Sequence, residues 1–105
     1  MENKDKHEVV ILASAQRDLE AIARFHLEWV GPISSKKITD ALYSSMTRLE
    51  EFPLLGKLIP DRGLAAEGYR ILVSGDYLCI YRIVGSSVWI YHIAHKATDY
   101  PKLLG

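Results

Sequence analysis

The chain has 105 residues, 49% apolar and 25% charged, with thirteen Lys and Arg balanced by thirteen Asp and Glu; that length implies one domain over 1–105, and the balance gives no general basic excess for gripping nucleic acid. No apolar run approaches the ~20 residues of a membrane span, and the polar, mixed-charge start at Met1–Glu8 does not read as a secretory leader. The single cysteine, Cys79, permits neither an internal disulfide nor a cysteine-based metal site, so a reducing cytoplasmic setting without metal or cofactor is expected.

Val9-Val10-Ile11-Leu12-Ala13 is a short run rich in β-branched residues and predicts a buried strand. Ser14 offers a side-chain oxygen to cap a helix. Ala15, Leu19, Ile22, Ala23, His26 and Val30, with Trp29 beside them, then recur at helical spacing. Gly31-Pro32 stops that helix. Ser34 or Ser35 can cap a second, whose inward stripe is Ile38, Ala41, Leu42, Ser45, Met46 and Leu49. Pro53 ends it, because the residue before a proline is pushed out of the helical region. The short link predicts an antiparallel helical hairpin.

From Pro53 to Gly68 the spacing of Gly56, Pro60, Gly63 and Gly68 reads as a surface loop. Three strands follow: Tyr69–Val73, Tyr77–Val84 and Val88–Ala94. Ser74-Gly75-Asp76 and Gly85-Ser86-Ser87 separate them, and turns this short force antiparallel neighbours. The order predicts an α+β fold: an N-terminal strand, a helical hairpin and a three-stranded antiparallel meander, all in one sheet. The last two strands are apolar at nearly every position, so both sheet faces want cover. The helices cover one, and a partner segment is expected on the other.

An ordered set of residues now stands out. Ala15-x-x-Asp18-Leu19-x-x-Ile22 opens the first helix, and Leu49-x-x-Phe52-Pro53-x-x-Gly56 closes the second. Gly68-Tyr69-Arg70, Asp76-Tyr77-Leu78-Cys79-Ile80-Tyr81-Arg82 and Ile90-x-x-Ile93-x-His95-x-x-x-Asp99-Tyr100 follow. In this order the chain resembles the RelE/ParE toxins over about residues 9 to 104. The resemblance implies a type II toxin that inhibits growth, with a cognate antitoxin protein as partner. It implies one of two actions: ribosome-dependent mRNA cleavage as in the RelE branch, or poisoning of DNA gyrase without hydrolysis as in the ParE branch. A degenerate member that only binds its antitoxin is a third reading.

Cleavage of RNA by attack of a 2′-hydroxyl needs a base, an acid and positive charge for the phosphorane. The tail His95-Lys96-Ala97-Thr98-Asp99-Tyr100 resembles a RelE-type ending, in which a basic residue precedes a tyrosine by four places. His95 suits acid or base work, Tyr100 stacking or proton donation, and Lys96 and Arg70 phosphate contact. These four form the expected catalytic set of an mRNA endoribonuclease, the branch the tail favours. A two-residue turn at Gly75-Asp76 pairs Arg70 with Tyr81 and puts Arg82 on the other face. Against this stand Leu78 and Leu72, at positions that are basic in the RelE branch. An apolar surface there favours the gyrase inhibitor or the binding module. His92 reads as a satisfied sheet histidine, His7 and His26 as lacking metal partners, Cys79 as an inert core thiol, and Arg17, Asp18, Glu20 and Arg24 as a solvated helix face.

Overall fold

A computed structural model describes residues 6–104. Strand β1 (Glu8–Ile11) leads straight into helix α1 (Ala13–Trp29), and α2 (Pro32–Thr47) folds back against it. A single 3-10 turn (Arg48–Glu50) extends α2. Then come β2 (Lys57–Leu58), α3 (Arg62–Ala66), β3 (Arg70–Ser74), β4 (Tyr77–Val84), β5 (Ser87–His95) and α4 (Pro101–Leu104). The strands form one sheet in the order β1-β5-β4-β3-β2, with β1 parallel to β5 and every other pair antiparallel. No described helix is long and apolar enough to cross a membrane.

The α+β class and the strand–hairpin–meander order are as expected, but several local signals act differently. Ser14 does not cap α1. Leu12 holds the cap position without a side-chain bond, and Ser14 Oγ donates instead to the Tyr91 carbonyl at 2.6 Å. Ser34 and Ser35 do not cap α2, because Pro32 already occupies its first turn and Gly31 stands at the cap with φ 137°. Both serines turn back to α1: Ser34 Oγ lies 3.0 Å from His26 Nδ1, and Ser35 Oγ donates to the Ala23 carbonyl at 2.8 Å. The segment read as loop holds β2 and α3, the latter capped by Asp61 accepting from the Leu64 N–H at 3.0 Å.

Both hairpins close as two-residue turns, with Ser74 opposite Tyr77 and Val84 opposite Ser87. Gly75 and Gly85 supply the positive φ such turns need, 60° and 62°. The β4–β5 ladder slips once. Ile80 faces His92 but Tyr81 faces Ile90, which leaves Tyr91 as an extra, bulged residue. The bulge reverses the alternation along β5, so Val88, Ile90 and Ile93 all reach the helix side while Tyr91 reaches the other. That is why the sequence of β5 lacks a period of two.

Two apolar clusters sit on opposite sheet faces. Ala15, Leu19, Leu42, Met46 and Leu49 from the helical layer pack on Leu72, Cys79, Tyr81, Val88 and Ile90. On the far face Ile59, Tyr69 and Ile80 are buried, with Leu64 of α3 and Tyr100 and Leu104 of the tail against them. Part of the cover expected from a partner thus comes from the chain's own segments, brought across by α3 and α4.

Candidate functional site

The register separates the expected site residues. Arg70 faces Tyr81 near one end of the β3–β4 hairpin. His95 faces Tyr77 at the turn end of β4. The two pairs are four steps apart along β4, about 13 Å at strand rise. The two groups belong to two ends of the sheet.

At the Arg70 end the side chains close on the backbone. Arg70 lies on the face of Leu72 and Ser74, and its Nη1 donates to the Gly56 carbonyl at 2.6 Å. Tyr81 is fully buried. Its hydroxyl accepts from the Gly56 N–H at 2.9 Å and donates to the Pro53 carbonyl at 2.7 Å. Burial pushes the Tyr81 pKa up, against the opposing pull of the Gly56 N–H and Arg70. Here Arg70 fastens the 53–56 segment to the sheet. Arg82, on the opposite face as the alternation requires, lies over the Tyr69 and Tyr91 rings at 5.2 and 5.5 Å. Its Nη2 donates to the Tyr91 hydroxyl at 2.8 Å. That bond raises the arginine's pKa further.

At the turn end the polar groups face water. His95 and Lys96 are exposed. Lys96 Nζ stands 3.1 Å from Asp76 Oδ1, and its backbone N–H donates to the Asp76 carbonyl at 2.8 Å. The lysine holds the Asp76 pKa below its usual value, through their hydrogen bond first and charge second. His95 Nδ1 accepts from the Ala97 N–H at 3.1 Å, and its ring meets Tyr77 edge-on, centroids 5.6 Å apart. Tyr77 is buried, and burial more than the nearby Asp76 raises its pKa. Its hydroxyl lies 3.1 Å from His26 Nε2, so Ser34, His26 and Tyr77 form one hydrogen-bonded chain from the hairpin tip to the sheet. Tyr100 is elsewhere, packed against the far-face cluster rather than beside His95. Leu72, beneath the helical layer, and Leu78, on the opposite face, are both buried, so neither position presents a cation.

The sequence reading missed three contributors. Tyr77 and His26 bridge helix and sheet across 51 positions, which no local pattern reveals. Asp18, read as solvated, reaches the strand edge where β1 has ended. Its Oδ2 takes the Ile93 N–H at 3.0 Å and the His92 ring at 2.8 Å, which satisfies that edge. Asp18 already stood within the ordered residue set, and that was the available signal. His92 is the satisfied sheet histidine expected. Cys79 is fully buried and its thiol is pushed up to about 12 by burial, as an inert core thiol should be. No group of three metal-ligating side chains occurs among the described residues.

A shallow depression of about 640 Å³ lies between the end of α1 and the start of α2, lined by Val30, Pro32, Ile33, Lys37 and Ile38 with His26 and Ser34.

Residues 9–100 match the family model described as the ParE toxin of the type II toxin–antitoxin system parDE. Among solved structures the chain is similar to the chromosomal ParDE toxin–antitoxin system from P. aeruginosa. That match has 18% identity and a TM-score of 0.74, and covers 88% of this chain and 98% of that one. It is also similar to the RelBE2 toxin–antitoxin complex from Mycobacterium tuberculosis, at 26% identity and a TM-score of 0.66 over 86% of this chain and 98% of that one. A search of curated proteins finds no match.

Proposed function

The chain belongs to the family of ParE toxins of type II toxin–antitoxin systems, and from that premise we propose that it arrests growth by binding DNA gyrase rather than by cutting mRNA. One observation carries the choice between the two actions: the groups that RNA cleavage would need are dispersed and engaged. Arg70 is bound to the Gly56 carbonyl, Tyr100 packs in an apolar cluster, and Lys96 is paired with Asp76. Leu72 and Leu78 are buried and apolar, so neither position offers phosphate a cation. General acid–base work requires its partners within hydrogen-bond reach of one another or of one substrate. An antitoxin protein is the natural standing partner, and the toxin–antitoxin complexes among the similar structures support it.

The exposure of His95 and Lys96 favours a second reading, ribosome-dependent mRNA cleavage with His95 as acid or base, Lys96 and Arg70 on phosphate, and Tyr100 on a base. The deciding experiment is induction of the protein alone in a bacterial host, with transcript integrity and gyrase-linked DNA breaks read in parallel within minutes. The binding reading expects DNA breaks with intact transcripts. Rapid transcript cleavage that His95→Ala abolishes would replace it with the second reading.

A further inference from the structure

We propose that the tip of the helical hairpin is the surface by which this toxin docks on its target, and that the target presents an acidic amphipathic helix there. The inference rests on the reading that the protein acts by binding. A binding poison needs an apolar anchor surface, and anchors of this kind centre on large side chains. At the tip Trp29, Val30 and Ile33 are 76%, 66% and 77% exposed. They end α1 and begin α2, and Val30 and Ile33 wall the depression of about 640 Å³. Apolar exposure gathered around a concavity marks an interaction site rather than ordinary surface scatter.

Charge selects the occupant. Lys37 lines the depression. The neighbouring Lys36 is engaged by Asp40 at 2.6 Å, whereas no ion pair involves Lys37 among the described residues. The ends of α1 and α2 that meet here carry opposite partial charges and offset one another, so Lys37 sets the sign. His26 and Ser34 line the floor and bond to each other, so they ask for no polar ligand. Ile33 and Lys37 are four residues apart on one helix, hence one turn apart on one face. The matching surface carries an apolar side chain and a carboxylate at the same separation, which an amphipathic helix with an acidic flank provides. A nucleic-acid backbone would want several cations here, and one lysine lines the site.

The test compares Ile33→Ser, Lys37→Glu and, as control, Lys36→Glu. Each is induced in the host and also purified for a thermal melt. Fluorescence anisotropy then measures binding of two labelled synthetic amphipathic helices, one built on Leu and Glu, the other on Leu and Lys. Ile33→Ser and Lys37→Glu are expected to require at least about tenfold more inducer for growth arrest, with unchanged melts, while Lys36→Glu acts as wild type. The Leu/Glu helix should bind Lys37→Glu about tenfold more weakly than wild type, and the Leu/Lys helix should bind that variant better than it binds wild type. Full growth arrest by both tip variants would overturn target docking, and retained peptide binding would then assign the groove to a different partner. Equal binding of both peptides to every variant would overturn the acidic helix. Concentration-dependent self-association lost in Ile33→Ser would give the tip to a second copy of the chain. If growth arrest instead comes with cut transcripts, the binding reading itself fails; arrest with intact transcripts that survives both tip variants defeats only this inference.

Discussion

The two ends of the β3–β4 hairpin use similar residue types in opposite ways. At one end Arg70 and Tyr81 turn inward and bond to the backbone of Gly56 and Pro53. At the other His95 and Lys96 stay in water, and only the Tyr77 beneath them is buried. The difference teaches that an arginine or tyrosine in a family position is not thereby a reactive one. What matters is whether its donors and acceptors are already satisfied by the fold. The closed end should therefore govern stability and the open end should not.

The largest effect is expected at Gly56. A Cβ there would stand 2.6 Å from the Ile71 carbonyl and 2.8 Å from the Tyr81 ring and hydroxyl. Neither neighbour is a flexible tip. Gly56→Ala should cost about 3 kcal/mol, at the upper end of overpacking costs, and a denaturant melt would measure it. A loss under 1 kcal/mol would mean that the segment is not pinned as described.

Tyr81→Phe removes one hydroxyl that serves two backbone partners and leaves the buried Gly56 N–H without an acceptor. The expected cost is about 2 kcal/mol. Tyr77→Phe at the open end should cost less, since its hydroxyl meets only the half-buried His26. Equal losses in the two variants would erase the distinction between the ends.

How much of this was legible beforehand follows from the range of the interactions. The helical hairpin, the three late strands and the pairing of Arg70 with Tyr81 all come from spacing and turn length, which are local signals. The Gly56 contacts with Arg70 and Tyr81 span 14 and 25 positions, and Ser14 and Asp18 reach β5 across 74 or more. Ser14, Ser34 and Ser35 looked like helix caps because capping is the commonest local use of serine, but each found a tertiary partner. The bulge at Tyr91 hid the two-sided pattern of β5. Sequence also named His95, Lys96, Tyr100 and Arg70 as one set, because family positions carry no information about strand separation until the register is fixed.

Raising the pH sharpens the comparison from both ends at once. Burial raises the pKa of Tyr69, Tyr77 and Tyr81, and carries the Cys79 thiol from 9.0 to about 12. Groups raised in the folded state stabilise it fully below their unfolded pKa, and that stability drains away as pH climbs towards the folded value. Loss should begin near pH 9, where the unfolded thiol ionises, and continue at about 1.4 kcal/mol per pH unit for each group in its window. Denaturant melts from pH 8 to 11 would show it, and Cys79→Ala should flatten the first part of the decline. A stability flat to pH 11 would contradict the burial of these groups.

The smallest effect on stability, and the one that bears most on function, is at the open end. His95→Ala removes an exposed ring whose contacts are the Tyr77 edge and the Ala97 N–H. Lys96→Ala removes one arm of a solvent-exposed ion pair, which screening leaves weak. Each variant should melt within about 3 °C of wild type. Because the fold is untouched, any change in growth arrest belongs to contact with the target. A loss of arrest in both variants would extend the working surface from the hairpin tip through the Ser34–His26–Tyr77 chain to the end of the sheet. Full arrest in both would confine it to the tip, and would leave His95 and Lys96 with no part in this protein's action.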